Sequence, residues 1–231
     1  MNPSSITPPY FPARPINGGP LPIALPKSGA WTLEGKYNGW RSWVHNPTGA
    51  MFNRELEPLS INGEFAGALE LLRAMPWEWS DVEALERRHN IGRGSLILLD
   101  YLPEKPDEIY TDRKNYMHLC AGIIPGGIEV HKALDKPIAN DRVYLPMTWT
   151  MDAGLARVGD FVEAERDTER GDWPGLWQIL QECNKALGNN GRCGTQFWEG
   201  LVAKRNDSIY PRQRRNASLE FPFWMKHRWS Y

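Results

Sequence analysis

Strand-length and helix-length segments follow one another along this chain without a βαβ rhythm, and that order constrains its fold most. It favours an α+β domain, with antiparallel sheets flanked by helices, over a doubly wound parallel sheet. Strand-forming runs at 31–36 and 40–45 flank Gly39, and Asn46-Pro47-Thr48-Gly49 is a turn signal before a short strand at 50–54. A helix is expected from Asn62-Gly63-Glu64 through Met75, with Phe65, Leu69 and Leu72 on one face and Pro76 beyond its end. Strands at 77–85 and 95–101 surround a hairpin turn at 89–94 that includes Gly92-Arg93-Gly94. Further along, the pattern predicts a helix at 112–119 and a strand at 142–145. An amphipathic helix follows at 173–187, with Leu176, Ile179, Leu180 and Cys183 on a common face. A Gly/Asn turn at 188–194 leads to strands at 199–204 and 222–229.

Residues 1–28 hold eight of the 19 prolines and no acidic residue. They read as an extended arm lying on the domain or partly disordered, with 29–231 as the folded domain. Hydrophobic content of 41% and charged content of 24% are ordinary for a soluble globular chain. No apolar run approaches a membrane span, and no signal peptide precedes the domain. Cys120, Cys183 and Cys193 form no Cys-x-x-Cys pattern, and a reducing cytoplasm is the simplest setting. A net charge of −1 gives no global basic field. Between Lys204 and Arg228, however, seven cations face only Asp207 and Glu220. Such a stripe fits a polyanion-binding face or a solvated charge run. Within it, Arg212, Arg214 and Arg215 either contact backbone phosphate or solubilise a loop.

The chemistry starts at Lys36-Tyr37-Asn38-Gly39-Trp40-Arg41. Arginine stays charged and grips phosphate, a lysine can lose its proton and attack, and glycine lets backbone approach a ligand closely. A lysine attacking a nucleoside triphosphate also needs phosphate clamps, carboxylates for a divalent metal, and neighbouring cations. Glu199-Gly200-Leu201-Val202-Ala203-Lys204 offers a carboxylate beside a glycine at a strand start. Lys226 and Arg228 stand at i, i+2 and share one face of a strand. Of the eleven tryptophans, Trp40 and Trp43 are the ones expected near a nucleotide.

These elements, over about residues 30 to 229, resemble the adenylation domain of ATP-dependent polynucleotide ligases, within the covalent nucleotidyltransferase superfamily. Lys36–Arg41 matches its Lys-x-Asp/Asn-Gly-x-Arg, and Arg54 the arginine that follows. Asp81-Val82-Glu83 stands for its Asp-Gly-Glu, and Leu96–Asp100 for its apolar strand ending in aspartate. Glu199–Lys204 and Lys226-His227-Arg228 match the last two elements. The resemblance implies an ATP-grasp-like ligase adenylation fold and a DNA ligase that uses ATP and Mg²⁺. Lys36 would form a lysyl-AMP. Glu34, Arg41, Arg54, Glu83, Leu99, Lys204, Lys226 and Arg228 would bind the nucleotide, and Glu199 with Glu83 the metal. AMP would pass to a 5′-phosphate, and a 3′-hydroxyl would displace it, sealing nicked double-stranded DNA. Val82 replaces the usual glycine, so Glu64 competes with Glu83. Leu99 stands where the family often stacks an aromatic on adenine, and Asn38 replaces the commoner aspartate. The sequence stops three residues after Arg228, with no C-terminal oligonucleotide-binding (OB) barrel. The chain is therefore expected to be a minimal, truncated or split ligase, a monomer that works with a separate OB-fold subunit or partner protein. An RNA ligase is the alternative within the family; a non-sealing nucleotide- or nick-binding module of a larger complex is the alternative outside catalysis.

Overall fold

The structure, a computed structural model, describes residues 6–18, 30–85, 91–124, 126–131, 137–152, 155–158, 173–187, 197–214 and 220–228. Two six-stranded sheets meet across a cleft. The first has the order β1 (Arg14–Asn17), β12 (Glu220–Arg228), β11 (Trp198–Arg205), β2 (Trp31–Tyr37), β9 (Thr148–Asp152), β10 (Leu155–Val158). The second has the order β4 (Ala50–Asn53), β3 (Trp40–His45), β5 (Trp79–Leu85), β6 (Ser95–Tyr101), β8 (Val143–Leu145), β7 (Glu129–Val130). Helices α1 (Ala66–Arg73) and α2 (Tyr110–Ile123) pack on the second sheet, and α3 (Trp173–Ala186) on β10 and β11. No helix among the described residues is long and apolar enough to cross a membrane.

The α+β class holds, but the sheets are mixed rather than antiparallel. β1 pairs parallel with β12, and β8 pairs parallel with both β6 and β7. Hairpins impose antiparallel pairing; these partners are instead joined by long stretches of chain, which leave strand direction free. β1 comes from the proline-rich stretch, so residues 14–17 are sheet. Pro15 is tolerated because β1 is an edge strand. The stretch is stitched in further by Phe11 N–H to the Gln213 carbonyl, 3.0 Å, and by Trp43 Nε1–H to the Tyr10 carbonyl, 3.0 Å.

Alternation along the strands separates the core from the cleft. On β2, Trp31, Leu33 and Tyr37 enter a core that also takes Leu180 and Cys183 of α3. Glu34 and Lys36 occupy the opposite face and line the cleft. Ile179 is 38% exposed, not on the buried face of α3, and the side chain of Leu176 lies outside the described residues. The Gly/Asn turn at 188–194, including Cys193, and Arg215 also lie outside them. On β5, Val82 and Ala84 join the core under α1 and α2, while Glu83 reaches the cleft. A third cluster, with Trp43 and Trp79 from one sheet and Phe221 and Trp224 from the other, joins the two sheets.

The expected helix at 62–75 is split into a 3₁₀ turn, Asn62–Phe65, and α1. Asp141 supplies its start, accepting from Gly67 N–H at 2.9 Å and Ala68 N–H at 3.1 Å. Local sequence could not reveal a cap supplied from more than 70 residues away.

Candidate active site

The cleft encloses about 1070 Å³. All ten residues singled out for the nucleotide and metal line it: Glu34, Lys36, Arg41, Arg54, Glu83, Leu99, Glu199, Lys204, Lys226 and Arg228. Glu64 is not among them; it sits in the 3₁₀ turn before α1.

Three cross-strand rungs organise the wall formed by β2, β11 and β12. Lys36 stands beside Gly200, and Gly200 beside Arg228. The next rung is Glu34, Val202 and Lys226; the third is Thr32, Lys204 and Trp224. Side chains on a rung share a face. Gly200 brings no side chain, which leaves a gap between Lys36 and Arg228. A register shift between Trp198 and Gly200 aims Glu199 at that gap, as bulges commonly re-aim a side chain. Glu199 Oε2 accepts from Lys36 Nζ and lies 3.5 Å from Arg228 Nε. Gly200 has φ of 140°, and a Cβ there would collide with the His227 carbonyl oxygen, so glycine is required.

The cations of this wall act on one another. Burial lowers the pKa of Lys226, and the charges of Arg228, Lys36 and Arg54 lower it further, against Glu220. Packing like charges without neutralising them is unfavourable, and a polyanion relieves it.

The opposite wall comes from β3, β5 and β6. Glu83 Oε1 accepts from Gly39 N–H at 3.0 Å. Burial raises its pKa, Lys36 and Arg41 pull the other way, and Glu199 adds to the rise. Gly39 passes so close to β5 that a Cβ would sit 2.6 Å from the Ala84 carbonyl oxygen. Arg41 makes a two-pronged pair with Asp81, Nε to Oδ1 at 2.7 Å and Nη2 to Oδ2 at 2.6 Å. Burial works against its charge, but Asp81, with Tyr210 and Glu83, more than offsets burial and keeps the guanidinium protonated. Tyr210 donates to the same carboxylate at 2.6 Å. Asp81 takes two of the five N–H donors of Arg41.

Lys204 and Glu34 form the floor. Lys204 Nζ lies 2.9 Å from Glu34 Oε2, donates to the Leu99 carbonyl at 2.8 Å, and sits 4.2 Å from the Trp224 ring centroid. The Tyr110 hydroxyl donates to Glu34. Leu99 and Val202 present aliphatic surface beside this floor. Trp40 lines the cleft at 42% exposure. Trp43 does not: it is fully buried in the cluster between the sheets, a correction to the expectation that it neighbours a nucleotide.

Sequence reasoning missed Arg14, Tyr110, Tyr210 and Trp224 as parts of this region. Trp224 was within reach, because it precedes Lys226 and Arg228 on the same i, i+2 face. The others arrive from segments whose local pattern carries no such signal. Arg212, left open between phosphate contact and solubility, donates to the Pro103 carbonyl at 2.6 Å and stacks on Tyr10 with Arg214.

No family model and no curated sequence matches the chain. Solved structures do. The ligase domain of LigD from M. tuberculosis superposes with a TM-score of 0.53 at 16% identity, over 94% of this chain and 59% of that one. A mycobacterial DNA ligase D complexed with ATP and MES gives 0.53 and 16%, over 94% and 60%. The Chlorella virus DNA ligase-adenylate gives 0.53 and 16%, over 93% and 68%. This chain thus spans less than two thirds of the first two. At such identities the likeness is one of fold, and this chain carries the fold of ligase nucleotidyltransferase domains.

Proposed function

We propose that this chain is the catalytic domain of an ATP-dependent DNA ligase that uses Lys36 to take AMP from ATP and pass it to a 5′-phosphate. The observation that supports this most is the rung of Lys36, Gly200 and Arg228, with Glu199 set between the two cations and Lys226 one rung away. A lysine amine held close to two phosphate-binding cations suits attack on a phosphate better than a structural ion pair.

In this reading Lys36 Nζ gives up a proton and attacks the α-phosphorus of ATP. The N–P bond forms as the bond to pyrophosphate breaks. Lys226 and Arg228 neutralise charge building on the phosphate oxygens. Glu34 and Lys204 hold the floor against which the base lies, with Leu99 and Val202 as its apolar contacts. Arg41, fixed by Asp81, and Arg54 face the phosphates and later the nucleic acid. AMP then moves to a 5′-phosphate, and the neighbouring 3′-hydroxyl displaces it to join the strand.

No group of three or more metal-binding side chains occurs among the described residues, but Glu199 and Glu83 are near enough for their charges to interact. Magnesium commonly takes one or two carboxylates together with substrate phosphates, so this donor set fits. Bound there, the ion would supply positive charge to the phosphate oxygens.

Sealing assays on nicked DNA and nicked RNA, with ATP and Mg²⁺, test the reading. Joined DNA that disappears in Lys36→Ala supports it. Sealing confined to nicked RNA would move the protein to the RNA ligases. Binding to nicks with neither adduct nor sealing, even with an OB-fold partner supplied, would make it a non-catalytic module.

A further inference from the structure

The carboxylate that holds Arg41 is not held by Arg41 alone. Asp81 is fully buried, and Arg41 covers both of its oxygens, Nε on Oδ1 and Nη2 on Oδ2. The Tyr210 hydroxyl donates to Oδ2 as well, at 2.6 Å, and is itself buried. Burial and the charge of Asp81 raise the pKa of Tyr210 well above its ordinary value, so the phenol keeps the proton it donates. The Ala13 N–H in turn donates to the phenol oxygen at 3.1 Å. A hydroxyl that accepts one hydrogen bond donates the next more strongly. A buried chain of contacts thus runs from the N-terminal stretch through Tyr210 and Asp81 to the guanidinium in the cleft.

Asp81 does not need Tyr210 to be satisfied. Charged N–H groups already meet both of its oxygens, and so close an ion pair offsets most of the charge on each partner. Alone, that pair would give Arg41 little pull on a phosphate. The phenol shifts the balance. By sharing Oδ2 it draws carboxylate charge away from Nη2, and the charge freed on the guanidinium faces the cleft that Arg41 lines. It also fixes the plane of the carboxylate, and so the fork docked on it. Tyr210 has little freedom of its own. Its ring packs against Trp43 and Trp224, with centroids at 5.7 and 6.0 Å, and lies 5.6 Å from the Arg113 guanidinium. Its segment is pinned on both sides: Arg113 donates to the Ser208 carbonyl at 3.1 Å, and Phe11 N–H to the Gln213 carbonyl at 3.0 Å. A group locked by its own packing can set the geometry of the next one.

We infer that Tyr210 is a positioning residue for Arg41, acting through Asp81, and that the N-terminal stretch takes part through Ala13. Its role is to leave Arg41 both charge and aim for a phosphate. The identity of that phosphate rests on the ligase reading above; the relay itself rests on the contacts around Asp81.

The test compares binding of α,β-methylene-ATP, whose α- and β-phosphates cannot be parted, with binding of adenosine. Both are measured by calorimetry on the full chain, beside a gel assay for ATP label on the wild-type protein. The ratio of the two affinities isolates the grip on phosphate. Tyr210→Phe keeps the ring and removes the hydroxyl. It is expected to weaken the analogue about tenfold, the scale of one hydrogen bond to a charged group, and to leave adenosine unchanged. An unchanged ratio overturns the proposal, whether both affinities hold or both fall together, as they would for a structural role. Wild type that binds the analogue no better than adenosine overturns it too. If Tyr210→Phe fails to fold, 3-fluorotyrosine in place of Tyr210 decides. It is a stronger donor of nearly the same size and is expected to raise the ratio; a ratio unchanged or lowered overturns the proposal. Unlabelled wild type with a ratio that depends on Tyr210 sinks the nucleotidyltransfer reading and leaves the relay. Labelled wild type whose ratio ignores Tyr210 does the reverse.

Discussion

Gly200 lets Lys36 and Arg228 share one carboxylate, and no other residue fits there. Its φ of 140° and the closeness of the His227 carbonyl make Gly200→Ala a backbone clash rather than a local adjustment. The substitution is expected to cost about 2–4 kcal/mol in urea unfolding, in the range for strain at a special backbone site. Lys226 makes a prediction of opposite sign. Its pKa is lowered in the fold, by burial first and then by Arg228, Lys36 and Arg54. Folding therefore penalises its charged form; the penalty is complete below the folded pKa and vanishes above the unfolded one. Lys226→Met is expected to be more stable than wild type near neutral pH, with the gain fading at about pH 11, above the ordinary lysine value. The same variant is expected to lose nucleotide binding. Stability below wild type at neutral pH would contradict the proposed crowding of cations. Glu83 carries the complementary case: burial raises its pKa, so its ionised form is the disfavoured one. Glu83→Gln is expected to gain stability relative to wild type as pH rises through the folded pKa of Glu83, in paired urea titrations at acid and neutral pH.

At the scale of elements, a buried ion pair helps to fasten α2. Arg113 meets both oxygens of Asp100, at 2.9 and 3.0 Å, and also donates to the carbonyls of Glu108 and Ser208. Both side chains of the pair are fully buried. Arg113→Ala strands a buried carboxylate and is expected to cost about 3–5 kcal/mol in chemical unfolding, whereas a simple surface pair would cost little. That pair also shows where sequence reading stops. Strands β2, β3, β5, β11 and β12 were legible because alternation writes the buried face into the residue order, and β6 because it is a short, strongly apolar run. The cations of β12 were legible by the same alternation; Glu199 was read from its place beside Gly200 at a strand start, and a register shift rather than alternation turns it into the cleft. β1 was hidden by Pro15 and the prolines around it, and β7, β9 and β10 lie in regions without clear alternation. Parallel pairing, the Asp141 cap on α1, and the Asp100–Arg113 and Asp81–Arg41 partnerships are contacts between distant segments. Periodicity speaks only of neighbours along the chain, so it could place Arg41 and Asp81 on strands but not join them. The same limit put Trp43 beside a nucleotide, when partners from other segments bury it between the sheets.

The whole molecule is two sheets joined by a core that mixes Leu33 and Trp198 of one with Leu85 and Ile97 of the other, and by an aromatic cluster that includes Trp43, Trp79, Tyr210 and Trp224. Asn38-Gly39 passes the chain from β2 in one sheet to β3 in the other. Lys36 and Arg41 therefore stand on opposite walls although they are five residues apart in sequence. A short motif thus spans the cleft, and segments more than 150 residues away complete it, through Glu199, Lys226 and Arg228. The central claim is that this arrangement makes Lys36 the acceptor of AMP. It is tested most directly by incubating the protein with ATP labelled at the α-phosphate and Mg²⁺, then separating it on a denaturing gel. The account expects label that stays with the wild-type chain, is released by acid as a phosphoramidate should be, and is absent from Lys36→Ala. Wild-type protein without label, or label undiminished in Lys36→Ala, would contradict it.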